Sequence, residues 1–418
     1  MRNLILIRDS IENKISYYHL AAFLITLPFD RLYTELTLFS FFIHIIIHIN
    51  PKKFRTAFTR RQLIISSVWF VTLLGLIYSS YKKQGLEDLV RQSAILLFPF
   101  FLSLSGFPLS QYRKKLLQIL GLTCVVIILF LFADALFAIY HYKLLLSTLF
   151  TFPFLNHNFS APIGIHATYL SLYVSLSLIF FMYSFFEEKD NKKRAMHVIA
   201  MLILLAGLMQ LASRSVLIAT IFIFLIAFPL FLPKGRLRVR FISAVLLIAV
   251  LAFTGILTMD SFKRRYITEF KDDLTEVSFN NEQLEPRVNR WKFVMDLALQ
   301  KPLIGYGSGS EKVLLKDIYF ENKYFNSYLH GLNAHNQYLS FWLKTGIWGL
   351  AIFLFTLAYG LNMSWVKRDI LFAGFMILIC ITCFSENIFD VNKGIFFYAF
   401  FFSLFAWRDY SFKKNNPE

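Results

Sequence analysis

The chain has 418 residues, of which 57% are hydrophobic and 18% aromatic, with a formal net charge of +17 and a mean hydropathy of +0.55. Soluble proteins of this size do not repeat long apolar runs, so the composition excludes a soluble multidomain protein and indicates a polytopic membrane protein. Basic residues flank membrane spans, and the loops lack an RNA- or DNA-binding pattern, so we expect no nucleic acid partner.

Apolar runs follow one another along the chain and predict an all-α fold with about twelve transmembrane helices. The runs cover residues 17–29, 33–49, 63–80, 87–106, 115–140, 167–186, 195–212, 215–232, 241–258, 337–361, 370–384 and 395–407. Only Ser213 and Arg214 clearly separate the seventh run from the eighth, so we expect a tight turn there. All three cysteines lie inside apolar runs, which favours buried small side chains over a redox or metal site.

The distribution of Lys and Arg predicts the orientation of these helices. Alternate connections are basic, as in "SQYRKK", "EEKDNKKR", "NMSWVKRD" and the tail "RDYSFKK". Short connections on the opposite side, such as "FDRLY" and "SENIFDVNKG", carry few basic residues, and "YKKQGLED" is a mild exception. Because basic loops stay in the cytoplasm, we expect an even number of helices and both termini in the cytoplasm.

One connection, residues 259–336, is far longer than the others and lies on the predicted outer face. Long connections are usually functional or disordered, and this one is not of low complexity. Val288, Trp291, Met295 and Ala298 fall at helical spacing, and a Pro and a Gly follow as stop signals. We therefore expect a partly helical loop on the outer face that lies as a cap against the membrane.

The long loop divides the chain into three predicted parts. Transmembrane helices one to nine occupy residues 1–258, the cap occupies 259–336, and helices ten to twelve with a cytoplasmic tail occupy 337–418. Within the cap, "GYGSGS" is rich in glycine like a phosphate-binding loop. It lacks the lysine and the strand–loop–helix context of such loops, so we interpret it as a turn.

Three arginines on the predicted outer face could bind an anion. Arg214 lies at the tight turn, where a guanidinium near the hydrocarbon boundary must be paired, hydrated or directed to the interface. Arg287 and Arg290 are three residues apart, so both can point to one side of a cap helix. A guanidinium fits phosphate oxygens with two parallel hydrogen bonds. An interfacial anchor for Arg214, and a solvated helix face for the other two, are the alternatives.

His335 precedes the tenth apolar run and could act as a general base, because imidazole exchanges a proton near neutral pH. The alternative is a helix-start residue hydrogen-bonded to a neighbour, with Asn333 or Asn336 capping the following helix. His157 and His166 could bind a metal with acidic residues of "SENIFD" only through folding. Their spacing does not support such a site, so we expect no metal.

Several of these segments resemble the O-antigen ligase and polymerase superfamily. The resemblance rests on an Arg at a tight outer turn, then "RVNRW", "PLIGYG" and "HNQYLSFWLKTGIWG". It is strongest over about residues 200–400, and "GIHATYL" and "SENIFD" also look like family segments. The resemblance implies a GT-C-like polytopic fold in the bacterial inner membrane, with the active site facing the periplasm.

The resemblance implies roles for particular residues. His335 matches the essential histidine and would be catalytic, while Arg214, Arg287 and, less directly, Arg290 would bind diphosphate. Accessory roles are open for four other residues of the matching segments: His166, Tyr169, Asn336 and Glu386. No cofactor and no metal are implied.

The implied reaction moves a glycan from undecaprenyl diphosphate to an acceptor hydroxyl, with inversion at the anomeric carbon. The favoured function is O-antigen ligase in lipopolysaccharide biosynthesis, with lipid A–core as the acceptor. The alternative is an O-antigen or exopolysaccharide polymerase of the same superfamily, with a second lipid-linked glycan as the acceptor. A transporter of lipid-linked glycans would also bind membrane lipid, but it predicts internal repeats and mid-membrane charges. A non-catalytic scaffold would not account for Arg214, Arg287 and His335 together on the predicted outer face.

Overall fold

The computed structural model describes residue 4 and residues 6–49, 59–232, 235–275 and 285–407. All regular secondary structure in these ranges is helical, and they contain no strand. The α-helices are Ile11–Thr26, Arg31–Ile47, Arg60–Ile65, Ser67–Tyr78, Lys82–Arg91, Ser93–Ser105, Leu109–His141, His157–Ser160, Ala167–Glu187, Asn191–Leu211, Arg214–Phe222, Phe228–Phe231, Arg236–Thr258, Asp260–Lys263, Glu269–Leu274, Arg287–Gln300, Ser310–Glu321, Phe325–His330, Gln337–Val366, Ile370–Thr382 and Asn392–Ala406. Two π-helical segments, Ile223–Ala227 and Arg264–Thr268, connect neighbouring helices.

Each predicted apolar run falls on a helix or on consecutive helical segments, and seven of these are long and apolar enough to cross a membrane. The seven are Lys82–Ser105, Leu109–His141, Ala167–Glu187, Asn191–Leu211, Arg214–Phe231, Arg236–Thr258 and Gln337–Val366. Three more apolar helices have 10–17 residues, and a helix of 13 residues reaches only about 20 Å of the ~30 Å hydrocarbon layer. The all-helical, polytopic character is confirmed for the described residues, whereas twelve spans and their orientation stay predictions. The tail 408–418 and residues 51–58 lie outside the described residues, and the latter belong to another basic connection, "PKKFRTAFTRR" at 51–61, that we predict to be cytoplasmic.

The helices differ strongly in how deeply they are buried. Asn392–Ala406 and Ala167–Glu187 are buried on nearly every face and form the centre of the bundle. Arg236–Thr258 buries only Phe241 and Ile256, and its other apolar side chains are exposed or half-buried. Apolar surface of this extent is stable only against lipid, so this helix lies at the rim of the bundle.

Helix Gln337–Val366 is kinked at Gly346, whose φ of 65° and ψ of −169° interrupt the helical ladder. The segment Pro302–Gly307 packs against the kink so closely that a Cβ on Gly346 would lie 2.1 Å from the Leu303 carbonyl oxygen. The kink leaves backbone groups of the helix without helical partners, and these groups form hydrogen bonds with the segment. The Tyr306 N–H donates to Leu343 O at 3.0 Å, the Gly307 N–H to Lys344 O at 2.7 Å, and the Ile347 N–H to Pro302 O at 2.8 Å. The "PLIGYG" and "LKTGIWG" segments therefore form one structural unit.

Three helices of the cap segment pack over a small apolar core. The helix expected from the spacing around Trp291 is present as Arg287–Gln300, and Ser310–Glu321 and Phe325–His330 follow it. Its core is made of Val294, Leu297, Ala298, Leu315, Tyr319, Tyr324, Ala334 and Leu343. Since Leu343 belongs to the kinked helix, the cap is fastened to the bundle beside His335. Residues 276–284 of the predicted cap lie outside the described residues, and the domain boundaries stay predictions.

Candidate active site

A tight turn presents Arg214 at the end of the bundle that carries the cap. The turn residue Ala212 has a left-handed φ of 47°, and Ser213 is extended before the next helix begins at Arg214. The Ala212 carbonyl accepts a hydrogen bond from Arg265 Nε at 3.4 Å. The backbone of Arg214 is therefore held between the bundle and the segment that leads into the cap.

Asp273 bridges Arg214 and Arg287, two of the arginines expected to bind diphosphate. Its Oδ2 lies 2.5 Å from Arg214 Nη2 and 3.6 Å from Arg287 Nε. The Arg214 guanidinium also lies over the ring of Phe270, 5.6 Å from its centroid. Two guanidinium groups on separate elements thus converge on one anionic oxygen.

Two buried guanidinium nitrogens at this site have no hydrogen-bond partner within the described part of the chain. They are Arg214 Nη1 and Arg290 Nε. Arg290 is only 6% exposed, and its burial lowers its pKa below the ordinary value of 12.5, although a guanidinium remains charged at working pH. A buried charged donor without an acceptor is costly, so both groups favour an anion as their ligand.

The backbone of His335 is held in a left-handed conformation by its neighbours. Its φ is 47°, which is uncommon for a residue with a side chain. Its own N–H donates to Asn333 Oδ1 at 3.0 Å. The preceding Ala334 donates its N–H to Glu311 at 2.9 Å and accepts from Trp291 Nε1 at 3.0 Å. Such strain persists only where surrounding contacts fix it, and it is common at active sites.

The structure shows Asn336 in the role of helix cap that the sequence allowed for it. Its side-chain oxygen accepts the N–H groups of Tyr338 at 3.1 Å and Leu339 at 3.2 Å. These contacts satisfy donors that the start of a helix leaves free. The cap fixes the chain on the C-terminal side of His335, as Glu311 and Trp291 fix it on the N-terminal side.

Glu386 forms a hydrogen-bonded pair with His335. The Nδ1 of His335 lies 3.3 Å from Oε2 of Glu386, which is 9% exposed. Burial alone would raise the pKa of this carboxyl, but the bond to His335 and the nearby Arg287 and His166 lower it to about 2. An ionised partner at Nδ1 directs the other ring nitrogen, Nε2, to accept a proton.

Arg287 connects the arginine pair to the histidine pair. Besides contacting Asp273, its Nη1 donates to the carbonyl of Ser385 at 2.9 Å, next to Glu386. Arg214, Arg287, Glu386 and His335 therefore belong to one continuous set of contacts. The set contains a group suited to bind an anion and, beside it, a group suited to remove a proton.

His166 and Tyr169 lie beside this set, together with His157. The ring centroids of His157 and His166 are 3.9 Å apart, and those of His166 and Tyr169 are 5.6 Å apart. Both residues are exposed to solvent, although many protein atoms surround their imidazole rings. Desolvation lowers the pKa of both, to about 4 for His157, and so favours the neutral form of both imidazoles. His166 also accepts the N–H of Thr168 at 3.4 Å at the start of its helix.

The described residues contain no group of three or more His, Cys, Asp or Glu side chains arranged to hold a metal ion. His157 and His166 contact each other, and the nearest carboxylate contact in this region, that of Glu386, is made with His335.

Residues 199–354 match the model of the family described as O-antigen ligase. Over this segment the chain is similar to the O-antigen ligase family. Members of this family are glycosyltransferase-like enzymes that act on lipid-linked glycans. A protein of Haemophilus influenzae, itself described only as uncharacterized, is 24% identical over 315 residues, which is 73% of each chain.

The segment that matches this family includes only part of the site. It contains Arg214, Arg287 and His335 but ends before Glu386. The His157–His166 pair precedes it. Packing of the bundle brings Glu386, His157 and His166 next to the matched segment, so the site is built from that segment and from the chain on both sides of it.

Two charged residues of this site were not singled out from the sequence. Asp273 belongs to "FKDDL", and the acidic pair in that segment is a signal that could have drawn attention to it. Glu311 follows the glycine-rich turn, and its local sequence does not distinguish it from a solvated helix-start carboxylate. Glu386 was an accessory candidate without a role, and the structure places it on His335.

Proposed function

We propose that the chain transfers a glycan from undecaprenyl diphosphate to an acceptor hydroxyl at the periplasmic face of the bacterial inner membrane. The acceptor we favour is lipid A–core, which makes the chain an O-antigen ligase. The observation that carries the proposal is the arginine pair on one anion, with unpartnered guanidinium nitrogens, in direct continuity with the His335–Glu386 pair. The similarity of residues 199–354 to the O-antigen ligase family supports the class of substrate.

In this proposal Arg214 and Arg287 bind the diphosphate oxygens after Asp273 has been displaced. As the glycosidic bond breaks, negative charge grows on the diphosphate, and fixed guanidinium groups stabilise that charge more than the ground state. Arg290 supplies a further buried positive charge behind Arg287. Diphosphate is a good leaving group once this charge is neutralised, so the arginines can supply the electrostatic stabilisation that the step needs.

His335 accepts the proton of the attacking hydroxyl on Nε2. The acceptor oxygen forms a bond to the anomeric carbon while the bond from that carbon to the diphosphate oxygen breaks. Undecaprenyl diphosphate leaves with the electron pair, and direct attack from the opposite side inverts the anomeric configuration. Glu386 stabilises the imidazolium that forms, as a carboxylate does beside a base histidine.

The proposal is tested by replacing the three central residues one at a time with alanine. Arg214→Ala, Arg287→Ala and His335→Ala are each expected to abolish transfer while the protein inserts and purifies normally. Arg264→Ala is the matched control, because Arg264 is an exposed cation near Arg265 on the same connecting segment. The assay follows transfer from lipid-linked glycan extracted from host membranes that lack the enzyme. Near-normal transfer by His335→Ala would reject the base role.

A deletion strain separates the two acceptors. Loss of a ligase leaves bare lipid A–core and accumulates lipid-linked polymer, whereas loss of a polymerase leaves core that carries a single repeat unit. Transfer by the purified protein from a purified donor, without a membrane potential or a second compartment, would exclude a transporter.

A further inference from the structure

A second cluster of charged side chains lies beside His335 and forms no ion pair with the three arginines among the described residues. Glu311, 2% exposed, places Oε2 3.3 Å from Lys344 Nζ, and Lys344 also lies 3.1 Å from Asp390 Oδ1. Asn387 donates from Nδ2 to Asp390 Oδ2 at 2.9 Å. The cluster joins the first turn of helix Ser310–Glu321, the kinked helix and the "SENIFD" segment.

Glu311 contacts the residues next to both members of the His335–Glu386 pair. Its Oε1 accepts the N–H of Ala334, which precedes His335, at 2.9 Å. The same oxygen accepts from Nδ2 of Asn387, which follows Glu386, at 3.2 Å. One buried carboxylate therefore ties together the two chain segments that carry the pair, although 51 positions separate them in the sequence.

We propose that Glu311 is a positioning residue for the reaction: by binding Ala334 and Asn387 it sets the distance and angle between His335 and Glu386. This inference rests on the proposed transferase function. Glu311 does not touch the diphosphate site, and it acts on the proton-accepting half of the site alone.

The chemistry of the cluster requires a carboxylate at this position. Four donors converge on Glu311: the Ala334 N–H, the Ser340 hydroxyl, the Asn387 amide and the Lys344 ammonium. A carboxylate offers only acceptors, with about four lone-pair sites, and so satisfies all of them. A glutamine would replace one oxygen by an NH₂ group that faces donors, and at least one contact would be lost.

The strained backbone of His335 explains why this contact matters for the rate. A left-handed φ at a residue with a side chain relaxes when its neighbours no longer hold it. The cost of misplacing a catalytic group by about 1 Å reaches about 10²-fold in rate. Loss of the Glu311 contact is therefore expected to lower kcat without affecting the binding of diphosphate.

The experiment compares Glu311→Gln with Asp317→Asn, an exposed acid on the same helix, in full-length protein reconstituted in nanodiscs. Lys344 keeps Asp390 as a partner in Glu311→Gln, so insertion is expected. We expect kcat to fall about 10- to 100-fold, while the Kd for undecaprenyl diphosphate changes less than about threefold. Asp317→Asn is expected to match wild type in both quantities.

A double variant with Glu386→Gln distinguishes positioning from a general effect on the fold. If Glu311 acts through the pair, Glu311→Gln costs little further activity once Glu386 has been replaced, because coupled residues are not additive. Full additivity, an unchanged kcat in Glu311→Gln, or a parallel loss of kcat, lipid binding and melting temperature would each overturn the inference.

A second variant keeps the test decisive if Glu311→Gln does not insert. Glu311→Asp retains the charge against Lys344 but is one methylene too short to reach both Ala334 and Asn387. The same loss confined to kcat is expected, and a wild-type kcat overturns the inference. If wild-type protein neither binds undecaprenyl diphosphate nor transfers glycan, the proposed function fails and this inference with it. If wild type is active and both Glu311 variants match it, only the positioning role is rejected.

Discussion

Asp273 occupies the position between Arg214 and Arg287 that the proposed function gives to the donor diphosphate. The substitution Asp273→Asn keeps the shape of the side chain and removes its charge. The donor would then meet two arginines that are no longer neutralised by a carboxylate. We expect tighter binding of undecaprenyl diphosphate and a lower KM for the lipid-linked glycan.

The expected size of the effect follows from the contacts of Asp273. A hydrogen bond to a charged group contributes about 1.5–3 kcal/mol, and partial solvent exposure places a pair at the lower end of that range. The Asp273 side chain is 24% exposed and that of Arg214 12%. About 1.4 kcal/mol corresponds to a factor of ten, so Kd and KM are expected to fall about tenfold. kcat is expected to change less than KM, since the competitor is already displaced in the transition state.

The assay combines equilibrium binding of undecaprenyl diphosphate with initial transfer rates, both in nanodiscs at one fixed salt concentration. Asp272→Asn is the matched control, because it removes a neighbouring carboxylate for which no ion pair is found among the described residues. Weaker lipid binding by Asp273→Asn would refute the reasoning. That result would mean that Asp273 holds the arginines in place for the donor and does not compete with it.

Two further predictions concern stability. The pKa of Glu386 is lowered from its ordinary value of 4.5 to about 2, so its ionised form stabilises the folded state fully above about pH 4.5, and this contribution is lost as the pH falls towards 2. This pKa difference corresponds to about 3 kcal/mol of folding stability. The melting temperature should therefore fall more steeply between pH 5 and pH 3 for wild type than for Glu386→Gln. An equal fall in the two proteins would contradict this prediction. Gly346→Ala should lower the melting temperature by several degrees or prevent insertion, because a Cβ there would meet the Leu303 carbonyl and the positive φ strains alanine. Gly255→Ala, at a helical glycine with open space around it, is its control, and equal effects of the two would count against the kink as the cause.

The local sequence predicts the helices because lipid imposes a local rule. Each span must satisfy its own backbone, so an apolar run of sufficient length becomes a helix whatever its neighbours are. The turn before Arg214 and the cap at Asn336 are local for the same reason: each depends on a few adjacent residues. The number of spans is not local in this sense, since a short apolar helix can be a span or a packed core element.

The candidate site is only partly predictable because its contacts join distant segments. Arg214 and Asp273 are 59 positions apart, and Arg287 and Ser385 are 98 apart. The residue type indicates that an arginine binds an anion. It does not indicate which carboxylate the fold places beside that arginine. The kink at Gly346 is similar, because a glycine in an apolar run is ordinary until the cap segment takes up the freed backbone groups.

The two charge systems beside His335 differ in a way that fits different tasks. Asp273 is partly exposed, and it contacts two arginines, of which Arg214 has a further nitrogen, Nη1, without a partner among the described residues, so an incoming phosphate can replace it with little loss. Glu311 is buried and satisfied by several donors, so its replacement by a ligand would leave a charge and several polar groups without partners. We therefore expect a ligand anion to replace the Asp273 carboxylate, whereas the Glu311 carboxylate keeps its contacts. Catalysis by differential binding needs both, because the donor must displace an anion while the base stays in place.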